Sequence, residues 1–311
     1  IMLYGLLFIK ILRIRAQWAK NVLHYQMTAF SRVLIYSNIL SSLKINKPEE
    51  EDFRKPAMVI ANHQSHNDIA LLLILHPKFL EMTNDRVQRN KFFGPLIKMA
   101  DFYAISDGME SLLPRLRKNV EEGYSVVIFP EGTRSPDGRI QRFHKGAFYL
   151  AEELNIDLLP IIIHGSGDIY SKGEYFLKTG RAVIEVLPRI TPAEARSKGN
   201  LLERSRAIRH YMTAEYRKVA GKAETPRYFR ERLVKNYLFK GPVLEWYLKI
   251  KVRLEKNYAL FHKYLPVDGH ITDIGCGYGF MIYMMNFLSD KRTFTGIDYD
   301  AAEAAGQSLS V

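Results

Sequence analysis

The chain has 311 residues, 47% hydrophobic and 25% charged, a globular composition that excludes disorder throughout and leaves room for one large or two ordinary domains. Its single cysteine, Cys276, excludes an internal disulfide framework and a cysteine-rich zinc site, and leads us to expect water-facing parts inside the cell. The net charge of +12 sits mostly in two places, residues 1–44 with six Lys/Arg and no acid and residues 221–265 with eleven Lys/Arg against four Glu, and such basic flanks with apolar neighbours favour anionic phospholipid over nucleic acid as the contact.

The opening IMLYGLLFIKILRIR is apolar for nine residues before Lys10, Arg13 and Arg15. A bilayer-crossing helix needs about 20 residues, so residues 1–20 read as the cut tail of a membrane helix or as an interfacial helix with a basic collar. The alternative is a buried amphipathic helix of a soluble domain. A signal peptide fits poorly because the charges follow the apolar stretch.

After the acidic run at 49–52, AMVIA at 57–61 reads as a short buried strand ending at Asn62. A helix is expected next, with Ser65, Asn67 or Asp68 at its N-terminus, Ile69 to Leu75 on its apolar face and Pro77 as its stop. YSVVIF (124–129), LLPIIIHG (158–165) and AVIEVL (182–187) read as further strands, and KGAFYLAEEL (145–154) as a helix. This alternation predicts an α/β domain. Beyond Pro188 the chain is charged and helical to about residue 220. A boundary is expected at Lys222 to Pro226, followed by a basic-aromatic pair of helices broken at Gly241 and Pro242.

His63 and Asp68 stand five residues apart in N-H-x-S-x-x-D. The pairs His76/Glu81 and His210/Glu215 share that offset, so spacing alone decides nothing. Only His63 lies at a strand-to-helix turn, where a rigid scaffold presents chemistry. There Asp68 can accept a hydrogen bond from one ring nitrogen, which fixes the tautomer and strengthens the other nitrogen as a base. The strand at 124–129 runs into FPEGTRS (129–135). Gly132 lets backbone N–H groups approach an anion, and Arg134 offers a planar cationic fork for a phosphate. Glu131 is expected to orient Arg134 or an acceptor hydroxyl. His144 and His164 read as packing or surface residues and Ser65 as a helix cap.

In this order, each at the end of a buried strand, the two motifs resemble the PlsC-like glycerolipid acyltransferase family, which includes the bacterial lysophosphatidic acid acyltransferases. The resemblance covers about residues 20–215. It implies a mixed sheet flanked by helices, His63 as general base with Asp68 as its partner, and Glu131, Gly132, Thr133 and Arg134 as the acceptor-phosphate site. Acyl-CoA or acyl-carrier protein would be the donor, with no metal and no cofactor for acyl transfer. The chain departs from the family at its second motif. There GPLIKMADFYAISDG offers Ser106 and Asp107 in place of the usual arginine, which leaves another lysolipid or a non-glycerol alcohol open as acceptor, with Arg115 or Arg117 as substitute cations.

A second constellation follows. HITDIGCGYGF (270–280) turns through Gly275, Gly277 and Gly279 into an apolar helix, and TFTGID (293–298) ends in an acid. Alternate glycines let the backbone lie against a nucleoside, and an acid ending the next strand can hold ribose hydroxyls. This pattern resembles the first β-α-β unit of a Rossmann-like class I S-adenosylmethionine-dependent methyltransferase. The resemblance implies Asp273, Gly275, Gly277, Gly279 and Asp298 as cofactor-binding residues. Because the sequence ends at Val311, the expected half-site is loose and methylates nothing by itself.

The expected organisation is a membrane-associated segment (1–20), an acyltransferase domain (21–220), a basic-aromatic helical linker (221–265) and part of a methyltransferase domain (266–311). That order is similar to bacterial fusions in which a transporter-like membrane region precedes the two enzymes. The function expected is transfer of an acyl group to the hydroxyl of a lysophospholipid-like acceptor at the cytoplasmic face of a membrane. Two rivals remain: a methyltransferase as the working module on an acyltransferase scaffold, and a basic lipid-binding adaptor whose binding survives loss of His63 but weakens with salt.

Overall fold

A computed structural model of the chain describes residues 17–39, 41–83, 100–104, 108–170, 178–238 and 240–299. The opening apolar segment, Ser106 and Asp107 lie outside the described residues. The chain divides into two compact units, 1–219 and 220–311.

The first unit is built on a seven-stranded sheet in the order β1-β7-β6-β2-β5-β3-β4. Its strands are β1 (Ser41–Asn46), β2 (Ala57–Ala61), β3 (Phe79–Thr83), β4 (Tyr103–Ala104), β5 (Ser125–Ile128), β6 (Asp157–His164) and β7 (Gly180–Val186). All neighbours are parallel except β6 and β7, which are antiparallel. The sheet is therefore mixed, as expected. The three central strands β2, β5 and β6 are buried along their whole length, which is why they read as unbroken apolar runs.

Side chains alternate between two cores because successive Cβ atoms leave opposite faces of a strand. Met58, Ile60, Val126, Ile128, Leu158 and Ile162 join one core. It is completed by the helices α3 (Met109–Glu121), α4 (Gly146–Leu154), α6 (Pro192–Ser197) and α7 (Leu201–Ala223). Ala57, Val59, Val127, Leu159, Ile161 and Ile163 join the other, which is covered by α1 (Gln17–Tyr36) and α2 (Asp68–Leu73). A one-turn helix, α5 (Ser166–Ile169), follows β6.

The helix after β2 differs from its expected form. It starts at Asp68 and ends at Leu73, and its N-cap residue Asn67 makes no side-chain cap bond. Ser65 is not the cap. Its hydroxyl donates to the Tyr170 carbonyl (2.8 Å) and accepts from the Asn67 N–H (3.2 Å), so the turn is held by a tether to the chain beyond β6.

The second unit has its own core around Phe229, Leu233, Tyr237, Leu248, Phe280 and Met284. The helices α8 (Pro226–Lys235), α9 (Pro242–Leu254) and α10 (Tyr258–Tyr264) precede β8 (Gly269–Ile274), α11 (Phe280–Leu288) and β9 (Arg292–Ile297). β8 and β9 pair in parallel across α11, the geometry of a β-α-β crossover. No helix among the described residues is long and apolar enough to cross a membrane.

Candidate active site

Two turns at the C-terminal ends of adjacent parallel strands, β2 and β5, form the site. Asn62, the first residue after β2, donates from its amide to the Ile163 carbonyl and accepts the Ile163 N–H, both at 2.8 Å. It thus extends the β2–β6 ladder by one side chain and fixes where His63 leaves the sheet.

The His63 Nδ1 lies 2.8 Å from an Asp68 carboxylate oxygen. That same oxygen accepts the backbone N–H groups of Gln64 (2.6 Å) and Ser65 (2.8 Å). Asp68 is wholly enclosed, whereas the His63 side chain is 20% exposed. The carboxylate can only accept, so in the neutral ring Nδ1 carries the proton and Nε2 presents a lone pair. The ring stacks on Phe129, with centroids 4.1 Å apart. Burial and the Asp68 charge push the Glu81 carboxyl, in β3, up to about 8. Glu81 is therefore neutral at pH 7 and adds no second negative charge beside Asp68.

Three contacts sew the FPEGTRS turn to this histidine. The His63 N–H donates to one oxygen of Glu131 (2.9 Å), the Gln141 N–H to the other (2.9 Å), and the Ser135 N–H to the His63 carbonyl (2.8 Å). Glu131 is buried, and burial pushes its carboxyl up to about 7 against the pull of these two N–H donors. The expectation that Glu131 orients Arg134 is corrected here, because both of its oxygens serve the backbone.

Gly132 has φ of 70°. A Cβ there would come within 3.3 Å of the His144 ring, so His144, exposed as expected, also borders the turn. Thr133 is exposed and Arg134 half-buried. One terminal nitrogen of Arg134 is enclosed with no hydrogen-bond partner, an unsatisfied donor suited to an oxyanion. Burial, Arg134 and His63 together lower the pKa of His66, which disfavours a second positive charge beside the guanidinium.

Sequence reasoning missed the outer supports. The Gln64 amide donates to the Gly138 carbonyl (2.9 Å) and to the Tyr216 hydroxyl (2.8 Å). Arg209 holds the Gln141 carbonyl at 2.9 Å. Both anchors come from α7, and no local pattern announces a contact across 152 residues. His164 is buried against the Tyr216 ring. The candidate substitute cations are engaged elsewhere: Arg117 donates to the Glu153 carbonyl, and Arg115 lies over the Tyr103 ring. Of the decoy histidines, His76 accepts the Lys78 N–H and His210 is exposed on α7.

In the second unit Gly275, Gly277 and Gly279 have φ of 78°, 51° and 72°, and the turn they make leads into α11. The Gly277 N–H donates to the Asp298 carboxylate at 2.7 Å. Asp273 is half-buried, with its pKa raised by burial and by the Asp298 charge. A cavity of about 890 Å³ opens over this turn, lined by Asp273, Gly275 and Gly277 and also by Tyr247, Lys251 and Phe280. Tyr247 and Lys251 come from α9, in the stretch read from the sequence as a linker.

The family model described as Acyltransferase matches residues 43–164. A Caenorhabditis elegans protein, acl-2, named for 1-acyl-sn-glycerol-3-phosphate acyltransferase activity, is 31% identical over 57% of this chain and 64% of its own length. The chloroplastic 1-acyl-sn-glycerol-3-phosphate acyltransferase LPAT1 of Arabidopsis thaliana is 34% identical over 38% of this chain and 34% of its own. The alpha form of that enzyme from Mus musculus is 25% identical over 71% of this chain and 78% of its own. Among solved structures, the crystal structure of PlsC, the 1-acyl-sn-glycerophosphate acyltransferase of Thermotoga maritima, shares the fold, with a TM-score of 0.59 at 20% identity over 70% of this chain and 88% of that one. The chain thus spans 64% and 34% of the nematode and plant relatives. What the chain is similar to, in sequence and in fold, are acyltransferases.

Proposed function

We propose that the first unit transfers an acyl group from an acyl-CoA or acyl-carrier-protein thioester to the hydroxyl of a lysophospholipid-like acceptor of the 1-acylglycerol-3-phosphate type. The observation that carries this reading is the His63–Asp68 pair, with Asp68 enclosed and held by backbone N–H groups while the histidine ring stays reachable. An alcohol is a poor nucleophile at neutral pH, so His63 Nε2 takes the hydroxyl proton as the oxygen attacks the thioester carbonyl. The C–O bond forms, the C–S bond breaks, and the departing thiolate takes the proton back from the imidazolium. Ser65 is not a competing nucleophile, because its buried hydroxyl is engaged by Tyr170 and Asn67.

Arg134 is assigned to the acceptor phosphate on its enclosed, unpartnered nitrogen. Gly132 and Thr133 shape the same turn. Work at a membrane surface is supported by α1, whose solvent side carries Trp18, Tyr25, Phe30, Val33 and Tyr36.

The test is a thioester-release assay with a lysophosphatidic acid acceptor. His63→Ala is expected to lose roughly 10² to 10⁴ in turnover with an unchanged circular-dichroism spectrum. Arg134→Ala is expected to raise the acceptor KM more than it lowers kcat. A folded His63→Ala protein with parental turnover refutes the base, and an unchanged acceptor KM in Arg134→Ala refutes the phosphate site.

The second unit supports a further reading, a nucleoside-binding half-site. A Cβ at Gly275 would meet nothing within 4 Å, so the backbone lies open to a ligand there, and Asp298 is held at the strand end by Gly277. These residues fit S-adenosylmethionine, with Asp273, Gly275, Gly277, Gly279 and Asp298 as its holders. When bound it would supply an activated methyl group.

A further inference from the structure

We propose that the outward face of α9 docks the second unit onto an anionic phospholipid surface. Trp246, Ile250 and Leu254 recur at offsets of four and leave one side of the helix, and they are 66%, 53% and 74% exposed. The opposite side, with Leu248 and Val252, is buried in the unit's own core. Helical spacing thus gives α9 two apolar faces, of which the fold uses one.

The charges around the unused face select its occupant. Lys249 and Arg253 border it on one side, and Lys256 follows at the end of the helix. From Lys240 to Tyr264 no acidic residue is exposed: Glu245 and Glu255 are both half-buried, and Glu245 is paired with Lys249. A tryptophan and aliphatic stripe rimmed by cations, with no outward anion, matches the boundary between acyl chains and acidic headgroups. A second copy of the chain fits less well, because two such faces would set Arg253 and Lys256 of each against those of the other.

This inference is independent of acyl transfer, and its test reads binding alone. The chain holds two tryptophans, so in the full-length Trp18→Phe variant Trp246 is the sole indole reporter. With phosphatidylglycerol vesicles its emission is expected to shift to the blue and to be quenched by brominated acyl chains, with little effect from phosphatidylcholine. Ile250→Glu in that background is expected to weaken vesicle affinity about ten-fold or more by setting a charge in the apolar contact. If that variant fails to fold, Arg253→Glu carries the same expectation, because charge reversal turns an attraction to the acidic surface into a repulsion. Unchanged Trp246 emission, whether or not the protein sediments with vesicles, overturns the proposal. So does equal quenching by phosphatidylcholine, or emission already blue without lipid that reddens on dilution, which would assign the face to a second copy.

Discussion

Glu131 holds the joint between the two motifs, and its protonation affects stability as well as geometry. Its folded pKa is raised to about 7 from an ordinary 4.5, so between those values the unfolded chain loses a proton that the folded one keeps. Stability therefore falls as pH rises through this window, by about 3 kcal/mol for a shift of that size, and is level above it. Glu131→Gln removes the ionisation. The amide still accepts one N–H but leaves that of His63 or Gln141 orphaned, at a cost of about 1–3 kcal/mol. Urea melts from pH 4.5 to 7 are expected to show the variant less stable at the acid end, with the gap to the parent narrowing as pH rises. A constant gap would mean that Glu131 does not titrate there. Residue chemistry was partly legible in the sequence. His63, Asp68 and Arg134 stood out because their motif residues are contiguous at strand ends. Glu131 stood out as well, but its role and that of Asn62 were not legible, because both bond backbone groups whose positions only the fold supplies.

At the scale of elements, α1 shows the same tension between polarity and burial. Its core side holds Leu23 and Met27 together with His24, Thr28 and Ser31, while apolar and aromatic side chains face outward. His24 sits between the Phe102 and Tyr124 rings, with its Nε2 3.0 Å from the Ala100 carbonyl. Burial, and next the nearby Lys20, lower its pKa to about 4. Between pH 6.5 and 4 the unfolded chain gains a proton that the folded chain refuses, so stability is lost as pH falls, by about 3 kcal/mol across the window. This slope is opposite in sign to that of Glu131 and overlaps it, so the parent hides both. His24→Gln, which keeps a donor for Ala100, is expected to be relatively more stable at pH 4.5 than at 7 when each is referred to the parent. An identical pH slope in variant and parent would refute it. Strands were legible where burial on both faces left an unbroken apolar run, as in β2, β5 and β6. The edge strand β1 was missed because SSLKIN is polar and only partly buried. The antiparallel turn of β7 has no local signature, since pairing direction depends on the path of the chain and not on composition.

For the whole molecule, the two units have separate interiors: the residues around Phe229 and Phe280 form a cluster with no member in common with either core of the seven-stranded sheet. Cooperative unfolding follows contiguous packing, so each interior is expected to melt as its own transition. A ligand that binds only one folded unit raises only that unit's transition, by an amount set by its concentration over its dissociation constant. Scanning calorimetry of the full chain is thus expected to show two transitions, with S-adenosylmethionine raising one and coenzyme A the other. The S-adenosylmethionine effect is expected to vanish in Asp298→Ala, which removes the carboxylate held by Gly277, and to persist in His63→Ala. If a single transition responds to both ligands, the two units share one folding event, and the separation of lipid chemistry from nucleoside binding fails with it.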